Sequence, residues 1–195
     1  MKFKPKKSLG QNFLSDQNTI NSIISTANIN KESIVLEIGP GTGNLTKSIL
    51  KKNPKKLIVV EKDKELSNFL CEKFDNKISV INKDILNIKL NIKNNENIIV
   101  FGNLPYNIST EILVNWIKDK DKFKCSKKLI LMFQKEVADR ILAKTNSKAY
   151  GRLTVFSNWK YEIKKEFDIS PNCFFPKPKI LSTLLTFPPK KKIFH

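Results

Sequence analysis

Apolar residues fall along this chain in two rhythms that alternate with one another. Short, mostly apolar runs at Ile34–Ile38, 57–60, 78–81, 98–101 and 129–133, broken only by Glu37 and Ser79, predict strands buried on both faces. Between them, apolar residues recur at helical spacing. Ile20, Ile23, Ile24 and Ala27 share one face behind Asp16, a good N-cap. Leu45, Ile49 and Leu50 suggest a second helix. Leu66, Phe69, Leu70 and Phe74 follow Asp63, another cap, and Ile112, Leu113, Trp116 and Ile117 follow Ser109 or Thr110. Shorter helices are expected near 137–143 and 153–159. Tyr161, Ile163, Phe167 and Ile169 alternate with polar residues, which predicts a strand with one solvated face. A last strand over 180–187 stops at Pro188. Residues 2–7 read as a flexible basic arm, 8–14 as an irregular segment, and 94–97 and 145–152 as polar loops. Strands alternating with helices predict an α/β protein whose mostly parallel sheet is covered on both faces. Only a loop separates the final two strands, too short for a helical crossover, so they are expected to be antiparallel neighbours.

Composition narrows the class. The 195 residues suit one well-buried domain, and 40% hydrophobic content is globular. No apolar run approaches a membrane span, and the basic N-terminus lacks a secretory apolar stretch. Cys71, Cys125 and Cys173 match neither a zinc site nor a disulfide framework, so a reducing cytoplasm and no metal are expected. Net charge changes the picture most: 36 basic against 18 acidic residues give +18. That excess points to a polyanion, with nucleic acid first. The expected contact face carries Lys2–Lys7, Lys148, Arg152, Lys177 and Lys179.

Three successive predicted strands end in Gly39-Pro40-Gly41-Thr42-Gly43, Glu61 and Asp84. Parallel crossovers bring such strand ends to one sheet edge, where α/β folds bind ligands. Glu61 follows Gly39 at about the 20-residue spacing of a ribose-binding acid. Asp84 suits an adenine amine. A dinucleotide site remains the alternative, but its third glycine is replaced here by Asn44. The loop better suits a nucleoside cofactor without a pyrophosphate, such as S-adenosylmethionine, whose cationic end Glu37 would attract.

After the fourth buried run stand Asn103, Leu104, Pro105 and Tyr106. Two acceptors, the Asn103 side-chain oxygen and the Leu104 carbonyl, match the two hydrogens of a base's exocyclic amine. Holding both bends the nitrogen toward tetrahedral geometry and aims its lone pair at a methyl donor. Pro105 keeps Leu104 extended, and Tyr106 offers a ring for stacking. An ordinary turn after a strand is the competing reading.

The blocks Gln11-Asn12-Phe13-Leu14, 35–43, Glu61, Asp84 and 101–109 resemble the ribosomal RNA adenine dimethyltransferases. So do 134–140, 149–153 and Phe174-Phe175-Pro176-Lys177-Pro178-Lys179, in collinear order. The resemblance implies a class I, Rossmann-like S-adenosylmethionine-dependent methyltransferase fold, with a mostly parallel seven-stranded sheet and an antiparallel last strand. It implies dimethylation of adenosine N6 in ribosomal RNA. Gln11, Asn12, Leu14, Glu37, Gly39, Gly41, Glu61, Asp84 and Asn103 match cofactor positions. Asn103, Leu104, Pro105 and Tyr106 match the catalytic motif, and Phe174 matches an aromatic that sandwiches the target base against Tyr106. Leu104 and the Tyr-Gly-Arg-Leu block resemble the housekeeping branch, which modifies two adjacent adenosines near the 3′ end of 16S rRNA. The sister branch modifies 23S rRNA and confers macrolide resistance. A non-catalytic RNA-binding assembly factor is a third reading. Expected organisation is an arm over 1–10, a catalytic domain over 11–188 and a basic tail over 189–195, in a monomer without the family's helical C-terminal domain.

Overall fold

The computed structural model describes residues 3–88, 98–118 and 126–190. Lys2, the turn at 94–97, Cys125 and the tail residues 191–195 lie outside them. The chain runs through β1 (Phe13–Leu14), α1 (Gln17–Ser25), β2 (Ile34–Ile38), α2 (Asn44–Leu50) and β3 (Lys56–Val60). It continues through α3 (Lys64–Phe74), β4 (Ser79–Ile81), β5 (Ile98–Asn103), α4 (Ser109–Lys118) and β6 (Ser126–Gln134). The last elements are α5 (Lys135–Ile141), α6 (Arg152–Lys160), β7 (Lys164–Ile169), β8 (Phe174–Phe175) and β9 (Ser182–Phe187).

Seven strands form one sheet in the order β4-β3-β2-β5-β6-β9-β7. From β4 to β6 every pairing is parallel, and β9 lies antiparallel between β6 and β7. The chain leaves β2 outward through β3 and β4, then returns to the other side of β2 as β5. That reversal opens a crevice beyond the carboxyl ends of β2 and β5, the usual ligand position in open α/β sheets. Period 2 along β2 sends Ile34, Leu36 and Ile38 into one apolar cluster and Val35 into the other. The first cluster holds Trp116, Phe133 and Phe187, and the second Ile20, Leu70 and Phe101. Each such burial contributes on the order of 1.5–3 kcal/mol.

Asp16 and Asp63 cap α1 and α3 as expected, accepting from the Thr19 and Glu65 backbone N–H groups. Four local expectations are corrected. The basic arm is seated rather than free: the Phe3 and Phe69 rings meet edge to face at 4.7 Å, and Lys6 pairs with Asp63 and Glu65. The segment after it is not wholly irregular, because Phe13–Leu14 pairs antiparallel with Phe174–Phe175. The strand predicted from 180 begins at Ser182, and Ile180 and Leu181 are exposed. Tyr161 precedes β7 and makes an isolated bridge to Pro189 instead. A register shift between Lys165 and Phe167 interrupts the alternation there.

Candidate active site

The crevice is built from strand ends. The glycine turn follows β2, Glu61 follows β3, Asp84 lies beyond β4, and Asn103 ends β5. Gln11, Asn12, Leu14, Glu37, Gly39, Gly41, Glu61 and Asp84 all line one cavity. Asn103, Leu104, Pro105 and Tyr106 line the same cavity.

Two glycines are dictated by this geometry. Gly39 has φ +67°, and a Cβ there would meet the Asn103 carbonyl oxygen at 3.0 Å. Gly41 has φ +57°, and a Cβ would sit 2.7 Å from the Phe13 ring. Glu61 is buried, and its carboxylate accepts from the Asp63 N–H at 2.9 Å and the Gly41 N–H at 3.3 Å. Burial raises its pKa, and those backbone donors oppose the rise. Each of its oxygens keeps acceptor capacity for a ligand hydroxyl. Glu37 shares Val35's side of the sheet and accepts from the Thr46 hydroxyl of α2 at 2.7 Å. Burial pushes its pKa up to about 8, with the Glu61 charge adding to the rise. Burial thus disfavours the charged form of the carboxyl expected to attract a cation, a cost that an arriving cation would offset. Asp84 is the opposite case: burial opposes ionisation, but the Lys62 ammonium at 2.9 Å and the Leu86 N–H hold its pKa low.

Asn103 and Tyr106 are both fixed by partners from distant sequence. The Asn103 amide nitrogen donates to the Asn12 carbonyl at 2.9 Å, which distinguishes the nitrogen end of the amide from the oxygen end. The Tyr106 hydroxyl lies 2.6 Å from Ser182 Oγ, and burial raises its pKa. The segment 8–14, which forms one wall, is fastened throughout. Asn44 donates to the Leu14 carbonyl, and Gln11 donates to Asp63. Asn44 stood out in the sequence only as a missing glycine, and its amide turns out to hold that wall. Thr46, Asp63 and Ser182 gave no sequence signal for the site, because their partners lie on other elements.

The remaining predicted residues are not brought to the cavity. Phe174 is 4% exposed and packs in the apolar cluster with Leu14 and Ile169, because β8 pairs with β1. Its neighbour Phe175 is 62% exposed. Arg152 lines a separate open groove with Arg140, Lys148 and Tyr150, while Lys177 and Lys179 are exposed nearer β9 in the chain. Among the described residues no group of His, Cys, Asp and Glu could hold a metal ion, and no helix is long and apolar enough to cross a membrane.

The fold is that of the class I S-adenosylmethionine-dependent methyltransferases, and solved structures of methyltransferases superimpose on it. A dimethyladenosine transferase from Plasmodium falciparum matches with a TM-score of 0.81 at 30% identity, over 92% of this chain and 64% of that one. The 23S rRNA methyltransferase ErmE matches with a TM-score of 0.79 at 26% identity, over 93% of this chain and 71% of that one. Within that class the chain belongs to the ribosomal RNA adenine dimethylase family, whose model matches residues 2–194. The ribosomal RNA small subunit methyltransferase A of Pelagibacter ubique is 55% identical over 98% of this chain. The protein of the same name from Wolbachia pipientis wMel is 46% identical over 95%. This chain spans 72% and 65% of the lengths of those two relatives.

Proposed function

We propose that this protein dimethylates the N6 amine of adenosine in ribosomal RNA, using S-adenosylmethionine, with two adjacent adenosines near the 3′ end of 16S rRNA as its target. The observation that carries this reading is the Asn103 amide. Its nitrogen is tied to the Asn12 carbonyl, so its oxygen is left as the acceptor end, and Asn103 and Leu104 line the same cavity.

The cavity fits the cofactor. Glu61 has acceptor capacity for a ribose diol, and Asp84 stands near apolar Ile85 and Leu66 on the wall, a suitable setting for adenine. Gly39 and Gly41 let the turn after β2 pack directly against the Asn103 carbonyl and the Phe13 ring, which keeps its backbone on the cavity wall. Glu37 answers a cationic amino-acid end, whose charge would stabilise its carboxylate. When bound, S-adenosylmethionine supplies an electrophilic methyl group. The protein's own work is done on the amine. In the first transfer Asn103 and Leu104 accept hydrogen bonds from its two N–H groups and turn its lone pair out of conjugation with the ring, and in the second the one remaining N–H meets one of these acceptors. Tyr106 holds the base once it has left its stack. The nitrogen gains a methyl and loses a proton at each transfer.

The small-subunit assignment is supported by the names of the relatives at 55% and 46% identity, against 26% for the 23S enzyme. The test is transfer of labelled methyl groups to protein-free 16S and 23S rRNA and to small subunits lacking the modification, followed by mapping of dimethyladenosine. Label at the adjacent 16S adenosines is expected. Label on 23S rRNA would reassign the target, and none on any RNA would support a non-catalytic assembly factor. S-adenosylmethionine should also raise the melting temperature. Glu61→Ala should weaken its binding by roughly 1–3 kcal/mol in a calorimetric titration. Tight NAD binding in its place would overturn the cofactor.

A further inference from the structure

Tyr106 sits in the loop between β5 and α4, and its position cannot come from that loop alone. A tyrosine side chain turns about two bonds, so a fixed backbone still leaves the ring plane free. The backbone is held first: the Ser109 hydroxyl donates to the Tyr106 carbonyl at 3.3 Å, and the Ile108 N–H to the Pro105 carbonyl at 3.1 Å. The far end of the ring is held separately, by Ser182 Oγ at 2.6 Å from the phenol oxygen. Ser182 is itself held within the sheet. It is fully buried, opens β9, and is paired with Gln134 at the end of β6 and Ile169 at the end of β7. Strand direction explains its place. The parallel strands deliver their last residues to the catalytic edge, whereas an antiparallel strand delivers its first. Reversal of β9 thus puts a buried hydroxyl where the parallel strands end.

We propose that Ser182 is a positioning residue for methyl transfer: it anchors the Tyr106 hydroxyl so that the ring presents a fixed face to the target base. This rests on the proposed function, in which Tyr106 stacks on the flipped adenine. If Tyr106 only stacks, by contrast, Tyr106→Phe keeps the ring and should be mild.

The experiment compares wild type, Tyr106→Phe, Ser182→Ala, Ser182→Thr and the double variant Tyr106→Phe/Ser182→Ala. Single-turnover methylation of 16S rRNA is measured at saturating RNA and cofactor, with the affinity of each measured separately. A second readout uses a short 16S fragment carrying 2-aminopurine at the target position, whose fluorescence reports stacking. Ser182→Ala and Tyr106→Phe should each slow transfer about three- to tenfold, the range that a neutral hydrogen bond converts to. RNA and cofactor affinities should stay within twofold. The double variant should be no slower than either single one, because both remove the same bond. Ser182→Thr, which keeps the hydroxyl, should restore most of the rate. The 2-aminopurine signal should shift alike in Tyr106→Phe and Ser182→Ala. Wild-type rates in both single variants, or effects that multiply in the double one, would overturn the anchoring role while leaving the methyltransferase reading intact. A wild-type protein that transfers no methyl group would overturn both. Tyr106→Phe alters a half-buried side chain, so it keeps the test decisive if Ser182→Ala folds poorly.

Discussion

The side-chain amide of Asn103 joins two halves of the cavity that lie far apart in sequence, because its nitrogen is held by Asn12. A group pre-set in this way acts mostly where the amine changes geometry, in the transition state. Asn103→Ala should therefore lower kcat about a hundredfold or more, on the scale of removing one preorganised polar group. RNA affinity, dominated by phosphate contacts, should not move. Single-turnover rates with separately measured RNA binding check both halves. Glu37 gives a pH signature. Its folded pKa of about 8 stands above the ordinary carboxylate value, so the folded state holds the proton more tightly than the unfolded one. The stability this contributes is complete below about pH 4.5 and is lost as pH rises through about 8. Melting temperature without cofactor should carry this downward component between those limits, and Glu37→Gln should remove it. Phe174 belongs to the core rather than to the cavity wall in this structure. Phe174→Ala should then cost on the order of 3–5 kcal/mol in a denaturant titration, as a buried aromatic does.

Among the elements, the N-terminal segment departs furthest from its sequence. Its lysines and irregular pattern read as a loose arm, yet residues 8–14 wall the cavity and residues 3–6 pack on and beside α3. The fastening converges on Asp63, which caps α3, pairs with Lys6 and accepts from Gln11. The sequence shows the cap but not the clasp, since Lys6 and Gln11 lie more than 50 residues away in the chain. Asp63→Ala should lower stability by about 0.5–2 kcal/mol through the lost cap. It should also weaken S-adenosylmethionine binding, measured by calorimetry, because the wall is released. A stability loss with unchanged cofactor affinity would show that the clasp serves the helix alone. By contrast, β2, β3 and β5 were legible almost to the residue, because a strand buried on both faces is nearly continuously apolar, with Glu37 the one buried carboxyl in β2. Helix α6 was legible as a helix, but not in its orientation. Thr154 and Ser157 face inward beside the half-buried Leu153 and Phe156, while Val155 and Trp159 are exposed, so only part of its apolar set marks the buried side.

At the scale of the whole molecule, charge is the dominant fact, and the fold decides where it is available. Lys6 is committed to Asp63 and Glu65, whereas Lys148, Arg152, Lys177 and Lys179 are exposed. The groove holding Arg140, Lys148 and Arg152 includes Leu181, next to Ser182 and thus near the Tyr106 side of the cavity. Affinity for a 16S fragment should fall steeply between low and physiological salt, as phosphate contacts release counterions. Lys148→Ala and Arg152→Ala should each reduce the salt slope by about one, whereas Lys6→Ala should leave it unchanged. A flat salt dependence in the wild type would remove the basic surface as the docking face. By itself the sequence determined the alternation of strands and helices, the antiparallel ending, and that the glycine turn and the Asn103–Tyr106 segment meet at one cavity. Those follow from local rules: apolar period, glycine conformation, and the residue types that a given chemistry requires. Only the tertiary structure decided that the basic arm is clasped, that Phe174 is core, that Glu37 is buried against Thr46, and that Ser182 meets Tyr106. Each of these depends on which groups from distant parts of the chain come within hydrogen-bonding or packing distance, and on how much water is left around them.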